Sequence, residues 1–177
     1  MSTKQLLFSG FGGQGILFAG KFIAYKGLID NKQVSWLPSY GPEMRGGTAS
    51  CGVIISDDAV GSPIVSAPDV LIAMNLPSLD KYEDSVAPGG IILMDSSLIE
   101  RKVRRTDVTV YALPATQMAS DNGMPTLANM ILVGKLMKAL DDFNEESVSA
   151  ALKKVISAKH ADMMDVNRKA MQLGADY

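Results

Sequence analysis

Residues 8–21 read FSGFGGQGILFAGK. Just upstream, 4–11 is a short apolar run, the composition of a buried first strand. Downstream, Ile16, Leu17, Ala19, Ile23, Ala24 and Gly27 recur at helical spacing, which predicts a helix over 16–29. A strand, a glycine turn and a helix open a sheet whose strands are joined by helical crossovers. Gly10, Gly12 and Gly15 fit G-x-G-x-x-G, the turn that holds a pyrophosphate in dinucleotide-binding proteins. Gly12 and Gly13 permit backbone conformations closed to residues with a Cβ. Amides at the start of the next helix, reinforced by its dipole, would face an anion. Two readings stand: an anion-binding turn, or a tight connection that only packs.

A dinucleotide site also wants an Asp or Glu at the end of the second strand, to hold the ribose hydroxyls. That position reads SWLPSY, and Asp30 precedes the strand. The turn is present and its usual acidic partner is missing.

The rest of the chain continues the alternation. A second strand is predicted over 33–37, stopped by Pro38. Residues 48–56 alternate, as a strand with one buried face does, at an edge or in an antiparallel pairing. The runs 69–74 (DVLIAM) and 90–94 (GIILM) are apolar throughout, as in strands covered on both faces, and 77–82 predicts a helix between them. A further strand is predicted over 108–112. Helices are predicted over 126–140 with Thr126 as cap, 145–156 with Asn144 as cap, and 161–173 ended by Gly174. Gly134 is expected to allow a close helix–sheet approach. The fold class is α/β: one open, mainly parallel twisted sheet with helices on both faces, Rossmann-like, with a helical C-terminal part. No repeat or linker divides the chain, so 1–177 is read as one domain.

Ligands in such sheets bind outside the carboxyl ends of the strands. Those ends are the 11–15 turn, 38–40, Asn75, 95–97 and 114–117, rich in Gly, Ser, Asn and Thr. Residues 39–47, SYGPEMRGG, form a loop with three glycines and a proline. In it Arg45 offers a planar fork suited to phosphate or carboxylate, and Gly46 and Gly47 let a backbone approach closely. Alternatively, Glu43 and Arg45 pair with each other or cap nearby groups. The basic run Glu100–Arg105 reads as a solvated loop or as a docking surface for an acidic partner.

The 177 residues are 47% apolar and 20% charged with a formal net charge of −2, the profile of a globular protein. That charge gives no reason to expect nucleic acid or an anionic membrane as partner. No signal peptide or membrane span is legible, and the expected localisation is cytoplasmic. The single cysteine, Cys51, and single histidine, His160, cannot by themselves hold an iron–sulfur cluster or a structural zinc. No metal site is expected, and Cys51 is read as a buried, inert thiol.

GFGGQGI at 10–16, WLPSYGPEMRGGTASCGVIIS at 36–56, PDVLIAMNLPSLDKY at 68–82 and PGGIILMDSSLI at 88–99 together resemble the gamma subunit of 2-oxoacid:ferredoxin oxidoreductases. The resemblance spans about residues 5–135, and DVNRKAMQLG at 165–174 resembles that family's closing helix. It implies a pyruvate/ketoisovalerate oxidoreductase gamma-type domain over 1–177. It implies a complex that oxidatively decarboxylates a 2-oxoacid with coenzyme A to an acyl-CoA, CO2 and reduced ferredoxin. Thiamine diphosphate with Mg and the iron–sulfur clusters would be held by partner chains: alpha and beta subunits and cluster-containing subunits. This chain has neither the four thiolates of a cluster nor a G-D-G…N thiamine motif, so no catalytic residue is assigned to it. Coenzyme A is possible at the interface. The residues that could meet it are Gly10, Gly12, Gly13, Gln14, Gly15, Ser39, Glu43, Arg45, Gly46, Gly47 and Asn75. Packing of a subunit interface is the competing role for the same groups. The PSYGPEMRGG form is most similar to 2-oxoglutarate enzymes, with 2-oxoisovalerate next and pyruvate or indolepyruvate behind. A stand-alone nucleotide-dependent oxidoreductase is the alternative of a different class.

Overall fold

The computed structural model describes residues 2–39 and 48–177. The first strand, β1 (Thr3–Phe11), leads through the glycine turn into α1 (Ile16–Ile29), where helical periodicity starts. β2 (Gln33–Ser39) follows, then β3 (Thr48–Ser56), β4 (Val70–Ala73), α2 (Leu76–Tyr82), β5 (Ile91–Asp95) and β6 (Thr109–Leu113). The chain closes with α3 (Ala115–Asp121), α4 (Ala128–Ala139), α5 (Glu145–Val155) and α6 (Met163–Asp176).

The six strands form one sheet in the order β2-β3-β1-β4-β5-β6. β1, β4, β5 and β6 pair in parallel, while β3 runs against both β1 and β2. The carboxyl ends of β1, β2, β4, β5 and β6 therefore share one edge of the sheet. The chain leaves β1 toward β2 on one side and later returns to β4 on the other. The reversal opens a crevice between the ends of β1 and β4, where open α/β sheets bind ligands.

The two faces are covered unequally. One carries α1, α4, α5 and α6 over a core that includes Phe8, Phe22, Val53, Ile72, Ile131 and Leu136. The other packs Leu7, Leu71, Ile92 and Met94 against Leu79 of α2 and against Val86 and Ile99 of the connecting segments. Among the described residues, helical cover on that face comes from the short α2 and a 3-10 turn at Glu83–Ser85.

Several sequence expectations are corrected. β2 continues through Pro38, because an edge strand tolerates a residue without an N–H. β3 is antiparallel but lies inside the sheet, with both faces largely buried. α4 begins at Ala128, with Leu127 rather than Thr126 at its cap position and no side-chain cap. A Cβ on Gly134 would strike the Met171 carbonyl, and one on Gly174 the Ile131 carbonyl, so both glycines serve the crossing of α4 and α6. Gly174 accordingly lies within α6 rather than ending it. The seven-residue α3 is not among the predicted helices. Asn144 does cap α5, its Oδ1 accepting from the Ser147 amide at 3.0 Å.

Candidate functional site

The β1/β4 crevice is built around the arm of Gln14. Its Oε1 accepts from the Phe11 amide at 2.6 Å, and its Nε2 donates to the Met74 carbonyl at 3.1 Å. One side chain thus ties the turn after β1 to the end of β4. A Cβ on Gly10 would come within 2.6 Å of Gln14 Oε1, so the glycine makes room for that arm. Below the turn, the buried Ser9 hydroxyl donates to Ser78 Oγ at 2.9 Å.

Gly13 has φ +90, and the space where its Cβ would stand is empty out to 4 Å. It is therefore there for its conformation and for open access, not for close packing. Gly15, at φ +73, occupies the α1 cap position without a side-chain cap. Its carbonyl accepts from the Ala19 amide at 3.0 Å and from Asn129 Nδ2 at 3.0 Å. The amides of Gly12, Gly13, Gly15, Ile16, Leu17 and Phe18 have no acceptor among the described residues. A helix start left this way carries unsatisfied donors and the positive end of the dipole.

Asn75 stands beside them, after β4. Its Oδ1 accepts from the Ser78 amide at 2.8 Å and so caps α2. Its Nδ2 is buried and unpartnered among the described residues. A buried donor without an acceptor costs roughly 1–3 kcal/mol, which an incoming anion would offset.

The structure therefore brings Gly10, Gly12, Gly13, Gln14, Gly15 and Asn75 together. Ser39 lies on the same edge, level with Ser50 and Ser9 across the sheet and about 10 Å from Ser9 at the usual strand spacing. Glu43, Arg45, Gly46 and Gly47 lie outside the described residues. Of the other strand ends, Asp95 is fully engaged: its carboxylate accepts from the Ser97 amide at 3.1 Å and from Thr116 Oγ1 at 2.5 Å. It fastens α3 to β5 rather than facing a ligand.

The site suits an anion better than a dinucleotide. Asp30, the only acid near the expected spacing, caps the C-terminus of α1 ahead of β2, with the length of that strand, about 20 Å, between it and the binding edge. There it pairs with Lys26 at 2.6 Å and accepts from Ser147 Oγ at 2.6 Å. Cys51 is buried beneath α1, and burial pushes its thiol up to about 12, far from a reactive thiolate. Among the described residues, no three His, Cys, Asp or Glu side chains are grouped to hold a metal ion. The arginines of the basic run are paired: Arg101 and Arg104 converge on the buried Glu83, and Arg105 pairs with Asp107. Sequence reasoning missed Asn129, which holds Gly15 from 114 positions away and leaves no local signal.

Comparison with known proteins adds four likenesses. A sequence profile of the pyruvate ferredoxin/flavodoxin oxidoreductase family matches residues 5–177. The ketoisovalerate oxidoreductase subunit VorA of Methanothermobacter thermautotrophicus is 42% identical over 96% of this chain. This chain spans only 35% of that protein's length. The 2-oxoglutarate synthase subunit KorC of Methanocaldococcus jannaschii is 38% identical over 84% of this chain and 81% of its own. Among solved structures, the gamma subunit of a keto/oxoacid ferredoxin oxidoreductase from Geobacter sulfurreducens superposes with a TM-score of 0.82 at 30% identity. It covers 98% of this chain and 96% of that one.

Proposed function

The chain belongs to the pyruvate ferredoxin/flavodoxin oxidoreductase family, and from that membership we propose that it serves as the gamma-type component of a 2-oxoacid:ferredoxin oxidoreductase, where it receives the phosphates of coenzyme A. The reaction joins an acyl group from a 2-oxoacid to coenzyme A, releases CO2 and passes electrons to ferredoxin. Thiamine diphosphate, Mg and the clusters belong to partner subunits, since one buried cysteine does not fit a cluster. The contribution of this chain is binding and orientation.

The observation that carries the reading is the row of donors at the β1/β4 crevice that have no acceptor among the described residues: the amides of Gly12, Gly13 and Gly15–Phe18, and Asn75 Nδ2. Such donors fit phosphate oxygens. The distance of Asp30 from this edge argues against a free-standing nicotinamide enzyme. Glu43, Arg45, Gly46 and Gly47 join the proposal on their sequence alone, with Ser39 at the root of their loop.

The test is Asn75→Asp in the assembled complex. The aspartate keeps the oxygen that caps α2 but replaces the donor with negative charge. The KM for coenzyme A should rise about tenfold or more, the loss of one hydrogen bond to a charged group. Assembly, followed by gel filtration, should persist. An unchanged KM, or loss of assembly alone, favours interface packing instead. For the oxoacid, 2-oxoglutarate is the first reading, supported by the KorC match along most of that chain. The higher identity to VorA makes 2-oxoisovalerate the second. Rates over a panel of 2-oxoacids decide between them.

A further inference from the structure

The turn after β1 is rich in glycine, and glycine by itself holds no one conformation. Gly15 stands at φ +73 and ψ 26 in the α1 cap position, where no side chain caps the helix. What holds it comes from α4. Asn129 Nδ2 donates to the Gly15 carbonyl at 3.0 Å, beside the first helical bond from the Ala19 amide, also at 3.0 Å. A Cβ on Gly15 would strike the same Asn129 amide, so one side chain both bonds the glycine and packs flush against it. Asn129 is firmly mounted, because α4 is buried without a break from Ala128 to Gly134.

A trans peptide unit is planar, so the Gly15 carbonyl and the Ile16 N–H point in opposite directions in one plane. Holding the carbonyl along α1 aims that N–H out of the helix start. Gly15 is left-handed and Ile16 opens a right-handed helix, a change of hand that turns successive N–H groups toward one concavity. The amides of Gly15, Ile16 and Leu17 have no acceptor among the described residues. Asn129 Oδ1 is buried with no donor among the described residues, so the side chain meets the turn and not what the turn receives. An orphaned acceptor costs stability that an apolar side chain would not, and the work of Nδ2 explains why an asparagine stands there. We propose that Asn129 is a positioning residue: through the Gly15 carbonyl it sets the direction of the Ile16 N–H, and with it the anion affinity of the turn, without touching the ligand. The inference rests on the phosphate role proposed for that turn and adds the residue that keeps its donors aimed.

The probe is inorganic pyrophosphate, titrated into the isotope-labelled full chain and into Asn129→Leu while the backbone amide resonances and the thermal midpoint are followed. In the unaltered chain the Ile16 resonance should shift as pyrophosphate is added. Asn129→Leu keeps the branched arrangement of heavy atoms and removes the donor together with the orphaned acceptor. Its pyrophosphate affinity should fall about tenfold or more, the scale of a charge-assisted hydrogen bond put out of line, and Ile16 should lose its response. A variant with a lowered midpoint but the same affinity and the same Ile16 response overturns the inference and makes Asn129 a packing contact only. Where the leucine methyls prevent folding, Asn129→Ala gives the same comparison. On the unaltered chain alone, a titration that moves Gly12 and Gly13 but not Ile16 also overturns it. If pyrophosphate moves none of the turn amides, the phosphate role of the turn falls and the positioning role with it. Binding that is intact and indifferent to Asn129 removes the positioning role alone.

Discussion

The two edges of the sheet are built on opposite electrostatic plans. At the amino edge, charges are matched in pairs. Lys26, 2% exposed, is held between Asp30 at 2.6 Å and Asp142 at 2.8 Å. Lys32 pairs with Asp57, Arg105 with Asp107, and Glu83 gathers Arg101 and Arg104. At the carboxyl edge, none of the described ion pairs occurs. Apart from Asp95, its described residues present backbone amides and neutral side chains, and several donors and acceptors have no partner among the described residues. Matched charges fix a shape, whereas unmatched dipoles cost stability and persist where a ligand can satisfy them. The difference predicts that stability is governed by one edge and binding by the other.

The largest effect should come from acid, which removes many pairs at once. Hydrogen bonds from Lys32 and Arg105 hold Asp57 and Asp107 below the ordinary 3.8 of aspartate. For Asp30 and Glu83, burial pushes upward. Hydrogen bonds and charge from Lys26 and Ser147, and from Arg101 and Arg104, outweigh it, so both are lowered. A lowered carboxylate stabilises the fold fully above its unfolded value and loses that contribution as pH falls through the folded value. Thermal midpoints should stay nearly level from about pH 8 to about pH 5 and drop steeply below about pH 4. A midpoint that already falls near about pH 6 would mean that these pairs do not govern stability.

One pair can be broken alone. Glu83 has no exposed surface, and Glu83→Ala leaves Arg101 and the Arg104 amide without their shared acceptor. Arg101 keeps Asp80 at 2.6 Å, so the loss should be about 1–3 kcal/mol, read by urea unfolding of the purified chain. A loss under about 1 kcal/mol would place Glu83 among ordinary surface pairs and erase the contrast between the edges.

How much of this was legible follows the same division between local and distant causes. α1 and β3 keep the bounds read from the sequence, because a glycine turn, an apolar period and a strand alternation are local signals. The carboxyl-edge groups were legible for the same reason: apolar runs locate strand ends, and strand ends locate Asn75 and the turn. The rest depended on partners far along the chain. Gly134 and Gly174 face each other's helices, so neither the wrong helix–sheet assignment nor the false stop at 174 could be seen locally. Pro38 stops a central strand but not an edge strand, and only the sheet order tells which it is. Asp95 looks like a site residue at its strand end until Thr116 and Ser97 engage it. Asn129 and Asn167 are ordinary helical asparagines in sequence; packing alone buries them.

The smallest effect on stability should carry the largest information about binding. Gly13→Ala places a methyl where nothing stands within 4 Å, so no collision follows. The φ of +90 remains unfavourable for alanine, and the cost should be about 1 kcal/mol in urea unfolding. The same methyl would occupy open space beside the turn, where an anion approaching the amides would have to pass. Affinity for pyrophosphate should then fall about tenfold or more, as when a charge-assisted hydrogen bond is lost. A variant that loses the stability but keeps the affinity would make the turn a connector only. A variant that loses affinity at nearly full stability shows that the carboxyl edge is arranged for what it binds, while the amino edge maintains the fold.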